Sequence, residues 1–477
     1  MWLAVGVLVA LYVVALGMSW AVRLQQPTEF LYGEAVVLAQ VQRLHLGQPL
    51  YPPATELPLS VTAYTPVYYV LVALVQQLTQ QHGFVVGRAV SLAAMVGAAV
   101  FVACSVRAVA GRWWGGLLAG GLFLTQNLTV LLWGPVYRVD GLALCFTLAG
   151  LFLSSIGRTT LAGVPLALAV LTKQTYVIGI VSVAAQVWPD RRALASFLGV
   201  AIGGAVALLG VGQVMTGGWL LWHVVVANAN PLDFDYFSAM FNALVQLNAV
   251  PVVVAALVLA APALPRERQW RVYFVLSAIA ALVTMGKLGA SSNYWLELTA
   301  ATAVLIGIQA VRLGREPNVR TPLTSASLAG LVLASLLMVT PGYAATVNQA
   351  LKTATTDPSP PLEVATWLAD QPGEVLTDDP AVAVLAGKPV EFEFIIFTIL
   401  SAQHVWDEQP ILDAISAHRF SLVLLTQPLE TPEPKLIAAR WSAAVRDALQ
   451  MNYVPDGQAG AYWVYRPRPT PTVQPGT

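Results

Sequence analysis

Residues 64–80, YTPVYYVLVALVQQLTQ, decide how this chain is threaded. About a dozen of these positions are apolar and glutamines close the run, so it falls between a short membrane span and an interfacial helix. If it crosses, every later loop changes side. The other apolar runs are plainer, because a helix needs about 20 apolar residues to cross about 30 Å of hydrocarbon. Candidate spans are 2–22, 85–106, 113–132, 141–157, 194–214, 241–263, 272–287, 294–311 and 322–341. Residues 160–188 are long enough for two short spans broken near Lys173. The first run begins at Met1-Trp2 without a basic flank, and Ser19-Trp20-Ala21 is a poor cleavage site, so it reads as a retained anchor.

Arginine and lysine gather on the cytoplasmic side of membrane proteins, which settles the ambiguous segment. With 64–80 lying at the interface or re-entrant, one side collects Arg107, Arg112, Arg158, Arg191, Arg192, Arg266, Arg268, Arg271, Arg312, Arg315 and Arg320. The other side has Arg23, Arg43, Arg88, Arg138, Lys173 and Lys287. Eleven against six favours eleven spans, with the amino terminus inside and the carboxy-terminal region outside a plasma (inner) membrane.

Composition agrees. The 477 residues are 57% hydrophobic and 10% charged, with a mean hydropathy of +0.67, whereas soluble domains carry about 25% charged residues. Residues 1–341 hold 17 basic and 10 acidic side chains, and 342–477 hold 8 and 15, so a +7 membrane body precedes a −7 tail. The fold class is therefore mainly α: a polytopic membrane helical bundle with a small extracytoplasmic α/β domain at its carboxy-terminal end. Its expected parts are a transmembrane module over 1–341, a linker over 342–361, the soluble domain over 362–466 and a disordered proline-rich tail over 467–477. No basic run or zinc-type spacing appears, so nucleic acid is not an expected partner. Cys104 and Cys145 both lie in apolar runs and support no disulfide framework.

Seven of the ten acids of the membrane body fall on the outer side: Glu29, Glu34, Glu56, Asp140, Asp233, Asp235 and Glu297. Ionisable groups held near helix ends are costly unless paired or hydrated, which makes them functional candidates. In the first outer loop, residues 34–45 have apolar side chains at 36, 37, 38, 41 and 44, the spacing of an amphipathic helix lying on the membrane. Tyr32-Gly33-Glu34 opens it, Gly47-Gln-Pro-Leu-Tyr-Pro-Pro53 turns the chain, and Tyr64-Thr-Pro-Val-Tyr-Tyr69 is an aromatic stretch at the interface. Asp233-Phe-Asp235 has no supporting histidines and reads as a solvated loop.

These features, followed in order by Arg138-Val-Asp140, Thr172-Lys173-Gln174-Thr175 and Lys287-Leu…Asn293-Tyr294-Trp-Leu-Glu297, resemble the GT-C superfamily of polyprenyl-phosphate-sugar-dependent glycosyltransferases. The likeness is to the protein O-mannosyltransferase and aminoarabinose lipid A transferase branch, nearest its uncharacterised bacterial members, and runs over roughly residues 1–340. The chain departs from the pattern in two respects: relatives usually carry an aspartate, often Asp-Glu, where this chain has Gly33-Glu34, and many carry a basic residue or proline at the position of Thr65.

The resemblance implies an inverting transfer of a sugar from a polyprenyl-phosphate donor to an extracytoplasmic hydroxyl on a lipid, glycan or protein. That chemistry needs a carboxylate to remove the acceptor proton and fixed cations to stabilise the leaving phosphate. Glu34 and Asp140 are the candidate catalytic acids: Glu34 as base or acceptor-orienting group, Asp140 as donor-hydroxyl ligand, metal ligand or base in its place. Asp140 is also placed to cap the apolar run that follows. Lys173, Arg138, Lys287 and Arg88 are candidate ligands of the donor phosphate, Lys173 as a point charge within an apolar stretch. Tyr32, Tyr64, Gln174, Asn293, Tyr294 and Glu297 are candidate substrate contacts, and a divalent metal is a candidate cofactor. Two other classes compete: a lipid or solute transporter, against which the absence of a visible repeat speaks, and an inactive scaffold that retains only the family's shape.

In the tail, 364–368 reads as helix, 374–378 as strand, 380–386 as a short helix, and 392–400 as a strand-like or interfacial run. Residues 407–417 read as helix, and 420–425 and 461–465 as strands.

Overall fold

Long apolar helices build the first of two units in the computed structural model, which describes residues 1–315, 323–355, 359–432 and 439–469. This unit comprises Met1–Gln26, Tyr64–Met215 and Pro231–Thr356, and the second comprises Pro27–Ala63, Thr216–Asn230 and Asp357–Thr477. In chain order the helices begin α1 (Trp2–Gln25), α2 (Glu34–His45), α3 (Val67–Thr79), α4 (Phe84–Ala110) and α5 (Trp113–Thr125). They continue with α6 (Leu128–Trp133), α7 (Asp140–Ser155), α8 (Thr159–Thr172) and α9 (Ile178–Val187). All but α2 belong to the first unit. Among the described residues, six helices are long and apolar enough to cross a membrane: Trp2–Gln25, Phe84–Ala110, Arg191–Met215, Phe234–Val258, Ser292–Arg315 and Ser325–Thr355. α3, α5, α7, α8 and α9 are apolar but shorter.

At 13 residues, α3 is about 20 Å long, short of the hydrocarbon thickness. Three departures from the sequence reading have simple causes. The 113–132 run is not one helix: Asn127 accepts the Thr129 N–H at 3.0 Å and restarts the chain as α6. The Ser325–Thr355 helix carries on through most of the expected linker. Asp233 is likewise more than a loop residue, since it accepts the Tyr236 N–H at 2.7 Å and caps the Phe234–Val258 helix.

Small residues let these helices approach. A Cβ on Gly116 of α5 would lie 2.4 Å from the Ala103 carbonyl oxygen of α4, and one on Gly120 would lie 3.0 Å from that of Ala99. This is small-xxx-small packing, in which backbone contact replaces side-chain interdigitation. Gly116→Leu is therefore expected to cost upwards of about 2 kcal/mol by overpacking and to lower the aggregation temperature in detergent. Gly17→Ala, where nothing lies within 4 Å of the added carbon, is expected to leave it unchanged.

In the second unit a four-stranded sheet has the order β1-β2-β4-β3, with β1 (Glu374–Thr377), β2 (Phe420–Leu425), β3 (Tyr453–Ala459) and β4 (Tyr462–Pro467). β1 pairs with β2 in parallel, and the other pairings are antiparallel. The 392–400 run forms a helix, Phe394–Ala402, rather than a strand, and β3 had no expected counterpart. Phe392, Phe394 and Phe397 enter one apolar core with Leu59, Val61 and Trp441. The apolar side of α2 is covered by protein: Val36, Val37, Leu38 and Val41 are buried, and the helix packs against Pro380–Leu385. The expected tail from 467 lies outside the described residues from 470 onward.

His223 ties the 216–230 segment to the first loop within this unit. Its Nδ1 accepts the Thr62 N–H at 3.0 Å, so Nε2 carries the proton and donates to the Pro52 carbonyl at 2.7 Å. Burial, with Arg43 adding to it, pushes its pKa down from 6.5 to about 4. The unfolded chain therefore binds the extra proton first. The contribution of the neutral ring is complete above about 6.5 and is lost as pH falls toward 4, on the order of 3 kcal/mol in all. Hydrogen exchange of residues 50–62 and 219–226, corrected for intrinsic rate, is expected to accelerate between pH 7 and 4.5 in the native chain. His223→Gln is expected to lack that step.

Candidate active site

The 160–188 run breaks where the sequence puts its one cation. α8 ends at Thr172, Lys173 is extended (φ −149°, ψ 115°), and the helix resumes as α9 at Ile178. A break in an apolar helix frees backbone groups that need partners, so it is tolerated only where protein or a wet cavity surrounds it. Here Lys173 Nζ donates to Asp140 Oδ1 at 2.5 Å, and both side chains are almost wholly buried. Asp140 is the first residue of α7 but does not cap it, since its carboxylate is taken by Lys173 and no side-chain cap bond forms, and Asn293 Nδ2 donates to the same carboxylate oxygen at 2.9 Å. Asp140 Oδ2 and Asn293 Oδ1 are buried and accept no hydrogen bond from the described residues.

Aromatic rings surround the ammonium. Lys173 Nζ lies 4.6 Å from the Tyr294 ring centroid, 5.5 Å from that of Tyr64 and 5.7 Å from that of Tyr176, distances at which the ring quadrupole attracts a cation. Arg138 donates to the Tyr64 hydroxyl at 2.7 Å and lies 6.0 Å from the Trp133 ring centroid. Lys287, half-buried just beyond the Arg268–Thr284 helix, lies close enough to Lys173 for the two like charges to oppose one another. Asp140, Lys173, Arg138, Tyr64, Asn293 and Tyr294 therefore come together, with Lys287 nearby. Gln174 is half-buried beside Lys173, and Glu297 is half-buried one helical turn beyond Asn293.

Arg88 has a different setting. It is fully buried, and its Nη1 donates to the carbonyls of Arg23 at 3.1 Å and Gln26 at 2.5 Å, closing the end of α1.

Glu34 and Tyr32 belong to the second unit, Tyr32 exposed and Glu34 fully buried at the start of α2. Glu34 Oε2 accepts the Phe30 N–H at 3.1 Å, while Glu29 accepts the N–H groups of Gly33 at 3.2 Å and Ala35 at 2.6 Å. The two carboxylates thus share the start of the helix. Burial, with Glu34 and Asp379 adding repulsion, lifts Glu29 to about 8 against the two backbone donors. Glu29 is one of the seven outer acids that the sequence makes candidates, but an acid five residues before a helix follows no recognisable pattern that would give it a role. Among the described residues no group of three or more His, Cys, Asp or Glu is arranged to hold a metal ion, and the Asp140 carboxylate is engaged by Lys173.

The fold is shared with solved structures of two membrane enzymes. The chain is similar to the crystal structure of ArnT from Cupriavidus metallidurans bound to undecaprenyl phosphate (TM-score 0.61, 13% identity, 96% of this chain and 97% of that one). Against the apo state of the same enzyme the TM-score is 0.63 at 14% identity, with the same coverage. It is also similar to the archaeal oligosaccharyltransferase AglB from Archaeoglobus fulgidus in complex with an inhibitory peptide and a dolichol-phosphate (TM-score 0.55, 12% identity, 96% of this chain and 74% of that one). No protein-family model and no curated protein sequence matches.

Proposed function

We propose that this multi-pass membrane protein is a glycosyltransferase that takes a sugar from a polyprenyl-phosphate donor to a hydroxyl of an extracytoplasmic acceptor. The observation that carries the reading is the buried Lys173–Asp140 pair at a helix break, ringed by aromatic faces and Arg138. A buried ion pair is a weak source of stability, and hydrophobic replacement is often neutral or better. Keeping one beside a second cation fits a site that receives an anion. The ArnT and AglB structures, with undecaprenyl phosphate and dolichol-phosphate, supply the matching class of lipid.

In the proposed reaction the acceptor oxygen forms the bond to the anomeric carbon as its proton passes to a carboxylate. The bond from that carbon to the phosphate oxygen breaks, and its electron pair leaves with the polyprenyl phosphate. Glu34 is assigned as the base. Lys173 and Arg138 stabilise the charge that develops on the leaving phosphate, with Lys287 in support. Asp140 holds Lys173, and Asn293, Tyr64 and Tyr294 frame the donor, with Gln174 and Glu297 beside them. The test is turnover of synthetic polyprenyl-phosphate hexoses and pentoses by the purified chain in liposomes. Conversion of one donor to sugar-free polyprenyl phosphate supports the reading, and no conversion of any donor in the presence of native membrane extract as acceptor source sinks it.

A further inference from the structure

The second unit contains a cleft of about 440 Å³ that the transferase reading does not use. Trp219, Trp222 and Trp406 line it, and Asp407, Gln409 and Asp413 stand at its polar side. Each tryptophan is only half-buried, whereas the aromatic residues of the core around them, Phe392, Phe397 and Trp441, are covered almost completely. Neighbours fix the indoles in place. Trp406 donates its N–H to the Ala54 carbonyl at 2.7 Å and meets the Phe397 ring edge-on at 4.5 Å. Trp219 and Trp222 meet edge-to-face at 5.4 Å, and Trp222 meets the anchored His223 ring at 5.2 Å. On the polar side, Asp407 accepts the Gln409 N–H at 3.0 Å, and the Gln409 amide donates to Asp413 at 2.6 Å.

We infer that this cleft binds an uncharged glycan chain, its pyranose rings lying on the tryptophan faces and its hydroxyls donating to Asp407 and Asp413. A pyranose ring has one face of C–H bonds and a rim of hydroxyls. It therefore fits a surface that offers flat, partly exposed aromatic faces beside acceptor-only carboxylates and one amide. The volume lies within the range of small-molecule clefts, which combine aromatic walls with a few fixed polar groups. Among the described residues both charged side chains lining the cleft are acidic and neither lysine nor arginine lines it, which opposes phosphate headgroups and acidic sugars. Preset indoles also spare a ligand the cost of ordering them. The inference goes beyond the transferase reading and does not depend on it, because binding is measured with no donor present.

The test is saturation-transfer NMR and tryptophan fluorescence on the full chain in an amine-oxide detergent, since a maltoside headgroup would itself compete. The probes are cellohexaose, maltohexaose, mannohexaose and chitohexaose, with polygalacturonate as the anionic control. At least one neutral hexasaccharide is expected to saturate at or below about 1 mM and polygalacturonate not to bind. Trp406→Ala is expected to weaken the binding at least about tenfold. Asp413→Asn, on an exposed position that the core does not need, is expected to weaken it several-fold with no change in melting temperature. Saturation by no neutral glycan, or equal affinity in the native chain and Asp413→Asn together with an unweakened Trp406→Ala, overturns the inference. So does a tryptophan variant that alters only lipid retention or melting, which would make the indoles interfacial anchors.

Discussion

Replacing Lys173 by alanine is expected to reduce sugar transfer by on the order of 10²–10³-fold, the loss seen when one preorganised donor to a developing charge is removed. The same substitution leaves Asp140 buried without its cation, a defect costing about 3–5 kcal/mol, so lost activity alone would not separate chemistry from folding. The double variant Lys173→Met with Asp140→Asn separates them. It removes both charges, keeps the volume, and retains an amide oxygen to accept from Asn293, which donates to Asp140 at 2.9 Å. Its melting temperature is expected to return near that of the native chain while transfer stays at background. Full transfer in the double variant would assign the pair to scaffolding alone. Lys173→Arg is not a conservative control, because a planar guanidinium does not reproduce a point charge among three aromatic rings.

The second large effect belongs to the first-loop acids. Glu34→Gln is expected to lower transfer by about 10²–10⁴-fold, the contribution of a positioned general base. The amide oxygen still accepts the Phe30 N–H, so α2 should remain intact. Glu29→Gln is expected to act differently. Glu29 titrates at about 8 in the fold against 4.5 unfolded, so it destabilises as pH rises between those values, by on the order of 5 kcal/mol in all. The sign follows from the native state holding its proton where the unfolded chain has released it. Melting temperatures of the native chain should therefore fall between pH 5 and 9 more steeply than those of Glu29→Gln, with Glu34 and Asp379 the neighbouring charges in both. Parallel curves would remove Glu29 from the acid pair, and full transfer by Glu34→Gln would remove Glu34 as the base.

What the sequence revealed and what it hid follow from range. Lys173 stands out because an ammonium inside a long apolar run has no cheap structural explanation, and the chain does break there. Asp140 before an apolar run announced a helix start, and that position also puts it beside Lys173. Arg88 looked like the other cations, yet its partners are the carbonyls of Arg23 and Gln26, contacts across more than sixty residues that no local pattern encodes. The Phe392–Leu400 run is rich in aromatic and β-branched residues, which favour strands. Tertiary packing of Phe392, Phe394 and Phe397 against Trp406 and Trp441 overrides that preference. β3 escaped notice because Tyr-Val-Pro-Asp-Gly-Gln-Ala lacks alternation, and its pairing with β4 shifts register between Pro455 and Gln458. The tryptophan cleft joins residues 54–55, 219–222 and 405–413, which only the folded second unit assembles.

The central claim is that Lys173 and its neighbours hold the phosphate of a polyprenyl lipid. Native mass spectrometry of the chain gently extracted from its own membranes, beside Lys173→Met with Asp140→Asn, tests it most directly. A retained polyprenyl-phosphate or polyprenyl-phosphate-sugar mass in the native chain, absent from the equally folded double variant, is the expected result. No such mass in the native chain, even after the lipid is supplied, or equal retention by both, would contradict the account.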